Sequence, residues 1–177
     1  MGANFKTMVS YNQILDHSKE AVTVEPVTLA ETKIFCGIDF DAYDDLITEL
    51  ITAAREMCED YTGISFVKRE IIAVLNNANG NTYLPYGPIG DISTVVDEDG
   101  DEIAAADYKI VGVTWKQIKE PCYSELTVTY EGGYEILPKD LKTALLNAVF
   151  YMYDNRSQGV GGLGPIAESK LKRYRRV

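Results

Sequence analysis

Leu46, Ile47, Leu50, Ile51, Ala54, Met57, Cys58 and Tyr61 recur at intervals of three and four residues up to Gly63, the strongest periodicity in this 177-residue chain. That spacing puts all eight on one side of an α-helix, so a long helix over about 42–62 has to lay one face on a core. Asp39 or Asp41 is placed to cap its free amides, and with Asp44 and Asp45 they favour the positive end of the helix dipole. The opposite face, with Asp45, Glu49, Arg55, Glu56 and Glu59, is assigned to water. A second stripe, Leu141, Ala144, Leu145, Ala148, Val149, Met152 and Tyr153, defines a helix over about 139–155. Pro138 suits its first position, where a missing N–H is harmless. Phe150 and Tyr151 widen this stripe beyond what one neighbour covers, which fits burial between a sheet and a helix, or a subunit contact.

Between the two helices the pattern changes. From Phe66 to Tyr134, runs rich in β-branched and aromatic residues are punctuated by Gly, Pro, Asn and Asp. This predicts an antiparallel sheet with strands near Val67–Leu75, Thr82–Leu84, Ile92–Val96, Tyr108–Val111, Thr114–Ile118 and Glu125–Tyr130. The fold class is therefore α+β, a mainly helical body with a small antiparallel sheet between its helices. Upstream, Thr28 and Glu31 form a capping-box pair ahead of a short helix, Leu29–Cys36, stopped by Gly37. Residues 1–25 form an arm, with an extended piece at Ala21–Val24. Downstream, QGVGGLGP is a flexible link to a weak helical pattern over Ile166–Tyr174.

One stretch of the sheet region, VVDEDGDEIA, gathers Asp97, Glu98, Asp99, Asp101 and Glu102 around Gly100. An EF-hand loop started at Asp97 would need glycine where Glu102 stands and glutamate where Tyr108 stands, so that pattern fails. Asp99-Gly100 between two apolar runs signals a tight hairpin, and acids beside it discourage pairing at the hairpin edge.

A chain of this length fits one domain and can bury roughly 70% of its unfolded surface, so it needs no staples. Cys36, Cys58 and Cys122 are far apart without a CxxC pair, which suggests neither zinc nor a disulfide framework and fits a reduced, cytoplasmic setting. There is no apolar run of signal-peptide length at the start, Lys6 replaces the Ser or Thr of a myristoylation site, and no 18-residue apolar stretch occurs. The net charge is −10, but the last ten residues, ESKLKRYRRV, hold five bases against one acid, a net +4 that leaves −14 on the rest. An acidic body repels nucleic acid, whereas the basic end suits phosphate or an acidic protein patch.

Signatures of bond-breaking chemistry are missing. Gly159, Gly161 and Gly164 spell GxGxxG, but after a helix and thirteen residues from the end, not between a strand and a helix. His17 is the only histidine and lies in the arm, and there is no Walker loop, GxSxG or HExxH. The acids at positions 39, 41, 44 and 45 are accounted for by a helix start. The expectation is a protein that binds or assembles, with no catalytic residue, metal or cofactor.

The succession VTLAETKIFCGID, EDYTG, LPYGPIGDISTV, DEDGDEI, DYKI, LTVTYEGGY and LPKDLKTALLNAVFYMYDNR, spanning Val27 to Arg156, resembles the head-tail connector (adaptor) family of tailed bacteriophages and prophages. It departs from that family at the end of the first helix, where Ile34-Phe35-Cys36-Gly37 stands in place of basic residues. The resemblance implies a connector domain over 26–157, followed by a linker and basic tail over 158–177. It also implies a structural virion protein whose copies close a ring of about a dozen beneath the portal, through which DNA passes without sequence-specific binding. Partners would be further copies, the portal protein and a tail or stopper protein, in the virion and, during assembly, in the host cytoplasm, with no membrane involved. On this view Asp97, Glu98, Asp99, Gly100, Asp101 and Glu102 line the channel or face the next subunit. Tyr151, Met152, Asn155 and Arg156 meet a neighbour. Lys170, Lys172, Arg173, Arg175 and Arg176 reach the portal or DNA. The alternative is a DNA-binding packaging factor using that basic tail.

Overall fold

Thr28 opens the first helix, α1 (Leu29–Cys36), through both halves of a capping box: its hydroxyl accepts the Glu31 N–H at 3.2 Å, and the Glu31 carboxylate accepts the Thr28 N–H at 3.0 Å. The computed structural model describes residues 14–76, 81–119, 124–158 and 161–175. The long helix α2 runs Asp44–Thr62 and ends at Gly63, and a third helix, α3, runs Lys139–Asp154. The stripes seen in the sequence are the buried faces, with Ile47, Ile51, Ala54 and Cys58 of α2 packed with Leu141, Ala144, Leu145, Ala148 and Val149 of α3.

The N-cap of α2 differs from expectation. It is Tyr43, with no side-chain cap bond, because Asp41 and Asp44 both accept from Lys33, at 2.6 and 2.7 Å, and so tie α1 to the start of α2. Asp41 thus serves a neighbouring helix and leaves the amides of its own uncapped.

The sheet region resolves into two antiparallel sheets. The larger has the order β1 (Ile14–Lys19), β2 (Arg69–Asn76), β7 (Glu125–Gly132), β4 (Ile89–Asp97), and the smaller the order β3 (Asn81–Tyr83), β6 (Gln117–Lys119), β5 (Lys109–Val111). β2 and β7 pair without a break from Arg69 opposite Gly132 to Asn76 opposite Glu125. Alternation therefore sends Ile71, Ala73 and Leu75 to the same face as Leu126, Val128 and Tyr130. There they pack with Leu84 and with Ile118 of the smaller sheet, making a second core distinct from the helical one.

Both ends of the described chain are more integrated than the sequence suggests. The extended piece lies at Ile14–Lys19 and not at Ala21–Val24, and it is the outermost strand of the larger sheet. Its side chains are half-buried or exposed, so period-2 apolar patterning, the usual signal of a strand, is missing from it. At the other end α4 (Pro165–Leu171) folds back on α3, with Leu163, Ala167 and Leu171 in the helical core. The glycine-rich stretch before it acts as a close-approach point: a Cβ on Gly164 would lie 2.5 Å from Tyr151 Cγ. Among the described residues no helix is long and apolar enough to cross a membrane.

Candidate functional site

Where α2 meets β2, the two cores are joined by charge. Glu59 and Arg55, both assigned to the wet face of α2, are 0% and 3% exposed. The Glu59 carboxylate accepts from the Arg69 guanidinium, from Arg55 at 3.3 Å and from the Phe66 N–H at 2.8 Å, with the Lys19 ammonium at 3.5 Å. Arg55 also donates to Glu25 at 2.8 Å, and Arg69 to Ser65 and to the Glu20 carbonyl. Burial disfavours the Arg55 charge, yet its hydrogen bond to Glu25 and the nearby carboxylates hold its pKa above the ordinary arginine value. Water is replaced here by fully engaged partners, the condition under which buried charge is tolerated. The cluster ties β1, the segment 20–25, α2 and β2 into one rigid joint.

Two signals for this joint were present in the sequence. Arg69 shares the parity of Ile71, Ala73 and Leu75 and so faces inward, and Glu59 follows Cys58 one turn after Arg55, at the edge of the buried stripe. The Cys58 thiol beside it is pushed up to about 12 by burial, with the Glu59 charge adding to the effect, so it stays protonated at neutral pH.

The acidic stretch forms the turn its Asp-Gly pair predicts. The Asp97 side chain accepts the N–H groups of Asp99 and Asp101 at 3.1 and 2.9 Å, Gly100 adopts φ +89°, and Val96 bridges to Glu102. Asp97 is half-buried, whereas Glu98, Asp99, Asp101 and Glu102 are exposed. Among the described residues no group of three or more His, Cys, Asp or Glu side chains is placed to hold a metal ion. His17 meets the Tyr86 hydroxyl at 3.0 Å on the surface of β1.

The residues expected at a subunit contact separate into two sets. Tyr151 lies under Gly164, Met152 packs against the helical core, and the Asn155 amide donates to the Tyr151 carbonyl at 2.9 Å. Arg156 is exposed, its guanidinium 4.1 Å from the centre of the Tyr153 ring and 5.3 Å from that of Tyr43. Phe40 continues the aromatic run, 5.6 Å from Tyr43. Sequence reasoning passed over Phe40 and Tyr43 because they lie between two helices, outside any periodic stripe.

The basic end is partly committed to its own chain. Arg173 pairs with Asp140 of α3, the Tyr174 hydroxyl donates to the same carboxylate, and Arg175 lies over Tyr61. Lys172 is exposed and Lys170 half-buried, while Arg176 falls outside the described residues, as does Gly159 of the glycine motif.

A helical body joined to antiparallel sheet, with charged and aromatic groups displayed on its rim, is a fold of the α+β class. Residues 26–112 match the family described as Phage gp6-like head-tail connector protein. Solved structures of gene transfer agent particles share its fold over nearly their full length. In the neck of an empty particle computed with C6 symmetry, a chain 20% identical superposes with a TM-score of 0.71, covering 92% of this chain and 96% of that one. In the virion of a native particle the values are 19%, 0.73, 91% and 95%, and in a native neck computed with C12 symmetry 20%, 0.67, 90% and 96%. No functionally curated protein matches the sequence.

Proposed function

We propose that the protein is a head-tail connector subunit: copies of it close a ring beneath the portal of a phage-like particle and join the DNA-filled head to the tail. The observation that carries this reading is likeness of fold to neck chains over at least nine-tenths of both partners. The family match over residues 26–112 supports it independently. The protein works by shape. A ring requires two unlike faces that fit each other, and a rigid joint such as the Glu59 cluster keeps those faces at a fixed angle. It acts in the virion, after assembly in the host cytoplasm, and performs no bond-breaking step.

In this reading the basic residues not held by their own chain, chiefly Lys172 and Lys170, reach the portal. The acidic turn, Asp97 to Glu102, faces the channel, where phosphate finds no cation and releases no counterions, so DNA slides without sticking. The test is to mix the purified protein with the portal of its own particle and image the product by electron microscopy. Rings seated on the portal are expected. Failure to form any ring in the presence of the portal overturns the proposal.

A further inference from the structure

The rim between α2 and α3 carries a cation that pairs with no acid among the described residues. Arg156 is exposed, and its guanidinium is held over two aromatic rings, Tyr153 and Tyr43, with Phe40 beyond them. Phe40 and Tyr43 are 46% and 40% exposed, much for large side chains in a chain with two well-filled cores. No described carboxylate lies within ion-pair distance of Arg156, although the chain has ten more acids than bases. The Arg156 guanidinium donates to the Tyr153 carbonyl, and this bond together with the stacking restricts its rotamers while leaving its other in-plane donors to face a carboxylate, so little entropy is left to lose when one arrives. Arginine and tyrosine together on a rigid rim have the make-up of an interface hot spot.

We propose that Phe40, Tyr43, Tyr153 and Arg156 form one of the two unlike faces of the subunit, and that its occupant is a second copy of this chain presenting a carboxylate to Arg156. This inference rests on the connector reading above and adds which surface closes the ring. The choice of a second copy follows from charge. An acid-rich chain that leaves one oriented arginine without a carboxylate among the described residues, and that closes by unlike faces, offers its neighbour acids in excess. DNA is a poorer fit, because the surrounding surface repels phosphate.

The experiment compares the full-length wild-type protein with Arg156→Glu, Arg156→Lys and Tyr43→Ala in portal-templated ring assembly, read by electron microscopy and by the protein concentration at half-maximal ring formation. Circular dichroism of each monomer checks the fold. Arg156→Glu should need more than about tenfold the wild-type concentration, Tyr43→Ala should be intermediate, and Arg156→Lys should recover only part of the loss because a lysine cannot stack and fork as arginine does. Folded Arg156→Glu that closes rings at the wild-type concentration overturns the proposal. Single Arg156→Glu copies that bind the portal normally without meeting each other support it, whereas closed rings that no longer bind the portal assign this rim to the portal and overturn it. A wild type that forms no ring defeats the connector reading itself, an outcome separate from any of these.

Discussion

Two groups of charged residues in this molecule have opposite fates. The acids of residues 97–102 are adjacent in sequence, and the structure uses them for a solvated turn in which one carboxylate, that of Asp97, organises the backbone. The charges around Glu59 come from Lys19, Glu25, Arg55 and Arg69, scattered over fifty residues, and they form the buried joint between the helical and sheet cores. Density of charge along a chain is therefore a poor guide to its structural weight. Burial and the number of satisfied partners decide it.

The sharpest way to break the contrast is Glu59→Gln, which leaves Arg55 and Arg69 buried without their carboxylate. Urea unfolding should show a loss of about 3–5 kcal/mol, and a loss below about 1 kcal/mol would mean that the joint relaxes to admit water. In the acidic turn the expected effects are far smaller. Asp97→Ala, which removes two accepted N–H bonds, should cost about 0.5–1.5 kcal/mol per bond at most, and Asp99→Asn should stay within about 0.5 kcal/mol of wild type in the same assay.

The smallest effect concerns pH. Hydrogen bonds from Lys142 and from the Thr28 backbone hold the Glu31 carboxyl below its ordinary value of 4.5. A depressed carboxylate contributes stability that is present above 4.5 and is lost as pH falls through its lower folded value. The group is exposed, so the change should be slight. Melting temperatures of Glu31→Gln and wild type should converge as pH drops below 4.5, and a gap that widens on acidification would contradict the assignment.

Periodicity made much of the fold legible. The stripes of α2 and α3, the capping box at Thr28 and the β-branched runs each follow from local physics, and the observed elements lie within a few residues of the expected ones. The misses share another cause. β1 carries no apolar alternation, since it is held by backbone pairing with β2 and by the Lys19 contacts. Arg55 and Glu59 read as solvent-facing because their partners are distant in sequence. The aromatic rim at Arg156 was half legible: the stripe of α3 led to Arg156 just past its end, whereas Phe40 and Tyr43 come from a loop that only the fold brings alongside.

The seam between Gly164 and Tyr151 has a mechanical consequence. Because the carboxyl-terminal helix is wedged onto α3 there, with no slack between them, a pull on that end of the chain loads the helical bundle directly. The sheet would feel such tension through the segment 133–138 that leads from β7 into α3 and through the Glu59 joint, so strain arriving from a neighbouring component reaches the helical bundle before the sheet.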